Sequence, residues 1–164
     1  MPEYTLDRSL AQNDWARLDP FTQGYIEAAM WTLTVSWFEC ADCNCRPDEW
    51  TEMCPECSGK VREHTDSADH LGLQDIAAET IAKAVEDCEA FQTTYRHALD
   101  RASRVSGRDD DSHGHDFWLT RNGHGAGFWD RGYPAELSKV LTQGSKSFGS
   151  CDWYIGDDGN VYQY

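Results

Sequence analysis

Basic residues are scarce in this chain, with 14 lysines and arginines against 29 aspartates and glutamates, a formal charge of −15. That balance works against holding a phosphate backbone, where affinity comes from cationic side chains displacing counterions. It suits a basic partner, or serves solubility alone. Long apolar runs are missing too. No stretch approaches the roughly 18 residues of a membrane helix. The opening MPEYTLDRSLAQND has neither the basic start nor the apolar stretch of an export signal, so an intracellular protein is expected. Internal repeats and low-complexity segments are also absent.

What is present describes a folded protein: 40% of residues are apolar and 12% aromatic, with seven tryptophans among 164 residues. That length fits a single domain over 1–164, with room for a core and one insertion. A short helix is expected around Leu10–Leu18, followed by a helix from Phe21 to about Trp37. In the latter Phe21, Tyr25, Ala28 and Thr32 fall on one side and Ile26, Met30, Leu33 and Trp37 on another. A helix apolar most of the way round belongs at the centre of its domain, which makes Glu27 its odd residue. The longest helix is expected over about Asp75 to Ala102, where Ile81, Ala84, Val85, Cys88, Phe91, Tyr95, Ala98 and Leu99 recur at three and four. SGRDDDSHG reads as a loop.

The last third reads differently. HDFWLTRNGHGAGFWDRG has aromatic-rich segments on both sides of Asn122-Gly123, a strong hairpin signal. AELSKVLTQGSKSFG reads as a short amphipathic helix, with Gly144 awkward inside it. CDWYIGDDGNVYQY reads as a second hairpin, turning at Asp157-Asp158-Gly159-Asn160. The expected class is α+β: an antiparallel sheet of two hairpins, β-β-α-β-β, packed on two N-terminal helices.

Cysteine carries the clearest chemistry. Cys40-x2-Cys43 and Cys54-x2-Cys57 are two knuckles separated by ten residues. Each can turn both sulfurs toward one ion, and together they complete a tetrahedral shell. Pro55 enters the second turn, and Gly59 lets the chain bend back. Residues 38–62 resemble a zinc ribbon, which implies one structural zinc ion bound by Cys40, Cys43, Cys54 and Cys57. Cys45 is an extra thiol that could stand in for Cys43. The odd count of seven cysteines and the missing export signal weigh against a disulfide scaffold. Zinc is preferred to iron because nothing else suggests electron transfer. Cys88 and Cys151 read as core.

The ribbon's neighbourhood is acidic. Residues 39–71 carry nine acids and three bases, the reverse of what a groove-reading ribbon needs. Trp50 and Met53 near the tip suggest a protein-docking lobe; the plain alternative is a stabilising insertion with no partner.

With Asn122-Gly123 as a two-residue turn, His115 would face Asp130 and Phe117 would face Phe128, with Arg121 opposite His124. A polar cluster of His113, His115, Asp116, His124 and Asp130, with Arg121 beside it, is then a candidate ligand or acid–base site. A cross-strand hydrogen bond between His115 and Asp130 is the structural alternative. No Ser or Cys nucleophile is tied to these histidines by any motif.

The run His115-Asp-Phe-Trp-Leu-Thr-Arg-Asn-Gly-His-Gly-Ala-Gly-Phe-Trp-Asp-Arg-Gly132 resembles a family of small acidic bacteriophage proteins. Tyr25–Thr32, Asp75–Phe91 and the closing Tyr154-Ile-Gly-Asp-Asp-Gly-Asn-Val-Tyr162 extend the likeness. That family carries no assigned chemistry, and its usual members have a short acidic loop where this chain has Cys40–Cys57. The resemblance implies a non-enzymatic protein in the host cytoplasm. It would bind a host protein with a basic surface, in its most specific form a defence complex of the anti-CRISPR or anti-restriction target type, by mimicking nucleic-acid charge. Two rivals remain: an enzyme using His115, His124 and Asp130, and a nucleic-acid-binding ribbon.

Overall fold

The computed structural model describes residues 15–47, 51–68 and 70–164. A short 3-10 turn at Trp15–Arg17 leads into helix α1, Pro20–Thr32. Asp19 caps α1 by accepting from the Thr22 amide at 3.1 Å and the Thr22 hydroxyl at 2.6 Å, and Pro20 fills the first helical position, where no N–H is needed. The expected short helix is thus a single turn where it is described, and residues 10–14 lie outside the described residues.

Helix α1 stops at Thr32, not at Trp37. Leu33 turns to an extended backbone, and the β-branched Thr34-Val35 pair begins a strand. Strand β1, Thr34–Cys40, pairs antiparallel with β2, Val61–Ser67, from Thr34 opposite Ser67 to Cys40 opposite Val61. Helix α2 spans Ala78–Ser106, helix α3 Asp110–Arg121 and helix α4 Ala135–Ser147. A final hairpin pairs β3, Trp153–Ile155, with β4, Val161–Gln163. The class is therefore mixed helix and strand, with four helices and two small antiparallel sheets among the described residues.

Residues 110–121 are the main departure from the expected β-β-α-β-β order, because they form a helix and not the first strand of a hairpin. Gly107, at φ +71°, ends α2 in the left-handed region, and Asp109 caps α3 by accepting from the Ser112 amide at 3.0 Å. Asp110 and Asp111 in the first turn suit the positive end of the helix dipole. The expected loop SGRDDDSHG is thus a helix stop followed by a helix start. Asn122-Gly123 ends α3 in the same manner. Gly123 sits at φ +71°, its amide donates to Thr120, and the His124 amide donates to Leu119 at 3.0 Å. Those two bonds make a Schellman cap, so the residues read as a hairpin turn close a helix. The pairing of His115 with Asp130 and Phe117 with Phe128 is therefore not formed.

Helices α1 and α3 cross with their backbones touching. A Cβ at Gly24 would overlap the Asp111 carbonyl, and one at Gly114 would overlap the Phe21 carbonyl. Around this crossing Phe21, Tyr25, Phe91, Phe117 and Phe128 are almost fully buried, with the Phe91 and Phe117 rings stacked at 4.1 Å. Gly144 is explained by α2: the Tyr95 ring lies where its Cβ would be, at the one residue of α2 with non-helical angles. Burial of the crossing is completed by charge. Arg121 reaches Asp87 at 2.7 Å and the Tyr25 hydroxyl at 2.8 Å, and its Nε donates to the Gly149 carbonyl. Glu27, by contrast, points out of α1 into solvent.

Candidate metal centre

Strands β1 and β2 carry the two cysteine turns at one end, and the turns repeat one backbone plan. In the first, the Asn44 amide donates to the Cys40 carbonyl and the Cys40 amide to the Cys45 carbonyl. In the second, Ser58 donates to Cys54 and Cys54 to Gly59. Asn44 at φ +58° and Ser58 at φ +61° supply the same left-handed step directly after the second cysteine of each turn. The Asp42 and Glu56 amides each point at a sulfur, Cys40 Sγ and Cys54 Sγ, at 3.4 Å.

This plan gathers four sulfurs. Those of Cys40, Cys43, Cys54 and Cys57 lie within 4.8 Å of one another. A tetrahedral zinc–thiolate shell with bonds of about 2.3 Å has edges of about 3.8 Å. Cys40 to Cys57 is 3.5 Å and Cys43 to Cys54 is 3.7 Å, which fits that edge. The group can hold one metal ion, and its donors suit zinc. Hydrogen bonding from Cys45 is the first cause that draws the Cys54 thiol down to about 6, toward the thiolate form that binds metal. Four protein ligands leave no coordination position for water, so the ion would be structural.

Cys45 is at the place in the first turn that Gly59 holds in the second. A Cβ at Gly59 would stand 2.9 Å from Cys40 Sγ. Cys45 has such a Cβ, and its sulfur lies 3.1 Å from Cys54 Sγ. It neighbours Cys43 and Cys54 but is not one of the four mutually close sulfurs. Beneath the centre Val61, Phe38 and the buried Cys40 and Cys54 form a small apolar cluster. Trp37 stacks on His64 at 5.5 Å, and Arg46 approaches the same indole at 5.6 Å. Met53 is exposed, while Trp50 lies outside the described residues.

The polar residues of the aromatic run separate. His113 is fully buried, with Nε2 3.0 Å from the Ser103 hydroxyl, and burial is the first cause lowering its pKa. Asp116 is fully buried between two cations: Arg131 Nη2 donates to it at 2.6 Å and Arg108 Nη2 at 3.1 Å. Asp130 accepts from the Gly127 amide at 3.0 Å, and Arg121 serves the core. Cys88 and Cys151 are buried. Only His115 and His124 meet, on one cleft that also includes Trp31 and Arg131. Sequence reasoning passed over Trp31. Its signal was its position four residues after Glu27, which places a large aromatic on the solvent face of α1.

No helix among the described residues is long and apolar enough to cross a membrane. Compared with known protein families, curated proteins and solved structures, the chain has no match.

Proposed function

We propose that the chain is a non-enzymatic, acidic binding protein whose cysteine lobe is folded around one structural zinc ion. It engages a host factor that carries a basic surface. The observation that carries this reading is a closed four-sulfur shell supporting an acid-rich exterior. Asp42, Glu52, Glu56, Glu63 and Asp66 of the lobe are exposed, against Arg46, Lys60 and Arg62. A metal clamp would fix the positions of those carboxylates, so that they meet a partner without first being ordered. The resemblance to small bacteriophage proteins and the overall charge of −15 point to a partner in the host cytoplasm. The most specific version is a defence complex, of the kind that anti-CRISPR or anti-restriction proteins oppose, with its phosphate-binding surface covered.

Zinc is chosen over iron because the donor set suits both and nothing else in the chain points to electron transfer. Direct nucleic-acid binding is disfavoured by the same exposed acids. The test is affinity capture from the natural host with the zinc-loaded chain, followed by competition. The expected partner binds nucleic acid, loses it when the chain is added, and is released as ionic strength rises. A binding partner indifferent to salt, or no retained protein at all, would contradict the reading.

A further inference from the structure

Most side chains of the eighteen-residue run have a structural task. Asp116, Phe117, Trp118, Arg121 and Phe128 are core or core-bound. Thr120 accepts from the Phe128 amide at 2.9 Å, Asn122 holds the Cys151 amide at 2.8 Å, and Asp130 caps Gly127. Of what is left over, Trp129 is exposed elsewhere, while two histidines and a glycine-rich loop converge. We propose that the cleft between the end of α1 and the loop after α3 binds a small planar heteroaromatic acid of the nucleoside monophosphate class.

The cleft has a volume of about 780 Å³, within the range of roughly 300–1,000 Å³ usual for small-molecule sites. Trp31, Leu119 and Ala126 give it apolar walls, and His115, His124 and Arg131 supply polar groups. Trp31 is 71% exposed, and its indole lies 5.9 Å from the His115 ring. An indole so placed is a stacking platform for a flat ring.

The residues that line the cleft carry several uncommitted donors. The Gly125 and Ala126 amides donate to no acceptor among the described residues. The rings of His115 and His124 likewise make no hydrogen bond there. Arg131 uses Nε and Nη2 on Asp116, and its Nη1 is ion-paired with Asp130 at 3.6 Å without a hydrogen bond, which leaves the Nη1 donors to a ligand. Among the described residues no carboxylate lines the cleft, in a chain where acids outnumber bases two to one. Unpaired N–H groups with a guanidinium recognise an anion, and imidazoles can both donate to and accept from a heteroaromatic edge. An aromatic ring with a phosphate on it meets both demands at once. The inference is independent of the metal lobe and of the host partner.

The test is calorimetric titration of the zinc-loaded full chain with nucleoside 5′-monophosphates, the matching nucleosides, inorganic phosphate and a short 5′-phosphorylated single strand. The monophosphate should bind at least fivefold more tightly than its nucleoside, and inorganic phosphate should show no measurable heat. Trp31→Ala should weaken the monophosphate at least tenfold, and His124→Ala at least threefold. Trp31 is largely solvated, so circular dichroism of the variant should match the parent. If the single strand binds as tightly as the monophosphate, the source is a strand end; if only the monophosphate binds, it is a free nucleotide. The proposal is overturned if no nucleotide binds at millimolar concentration, if phosphate alone binds as well, or if Trp31→Ala binds like the parent.

Discussion

The helical body and the cysteine lobe solve the same stability problem with different means. In the body, α1 and α3 touch through Gly24 and Gly114, and five aromatic rings and Ile26 are almost wholly buried around them. Its buried charges are all paired, Asp116 with two arginines and Asp87 with Arg121. Among the described residues of the lobe, a two-stranded ribbon covers only Cys40, Cys54 and Val61, with Phe38 and Cys45 partly buried against them. A two-stranded ribbon with so little apolar area is marginal in water by itself. Where the core is large, burial sets the fold; where it is small, four cysteines are gathered closely enough to hold a metal ion.

The largest effect in the body should come from Asp116→Ala. Removing the carboxylate takes the buried partner from two guanidiniums; with Asp130 still beside Arg131 and Arg108 partly solvated, the cost is about 2–3 kcal/mol, below the full penalty of a broken buried ion pair. Urea unfolding checks this, and the metal content of the folded variant should not change. A loss below about 1 kcal/mol would mean that the body does not depend on this network.

A smaller effect concerns His113. Burial holds its pKa below the ordinary 6.5, in a setting that Asp116, Arg108, Asp110 and Asp109 also face. As pH falls the unfolded chain takes up the proton first. The stability that the neutral ring contributes is therefore complete above about 6.5 and is lost as pH falls through the lower folded value. One proton sets a slope of at most about 1.4 kcal/mol per pH unit. Stability measured from pH 7.5 to 5.0 should decline more steeply in the parent than in His113→Gln. Equal slopes would reject burial of a neutral imidazole.

The smallest effect belongs to Cys45→Ser. Four sulfurs remain, so metal stoichiometry and affinity should stay within about twofold of the parent, as read by a chromophoric chelator. Cys43→Ser removes one of the four and should weaken binding far more. The opposite ranking would mean that Cys45 is the ligand and Cys43 the bystander.

The sequence made the cysteine turns legible because metal chemistry writes spacing directly: two ligands per knuckle and a glycine where the chain folds back onto a sulfur. Helices α2 and α4 and the final hairpin were legible through period and turn residues. Residues 110–132 were not, because Asn-Gly serves two masters. It fits a two-residue hairpin turn and equally a left-handed helix cap, and aromatic residues on both sides gave no period to choose between them. The decisive signal lay upstream, where Gly107 and Asp109 form a helix stop and start around three aspartates. The β1 strand was hidden for a related reason. Thr34, Val35 and Trp37 continue the apolar pattern of α1, and only pairing with residues 61–67 makes them a strand. The cleft at Trp31 depends on α1 meeting the loop after α3, a contact that no local pattern encodes.

The metal is the point on which the account of the lobe stands, and one experiment addresses it directly. Zinc per chain is measured on the purified protein, and amide hydrogen exchange is then followed before and after addition of a strong chelator. The expected result is one zinc per chain, with protection lost over residues 34–67 on chelation while α1, α2 and α3 keep theirs. Well under one zinc per chain in a protein whose 34–67 amides are already protected would contradict it.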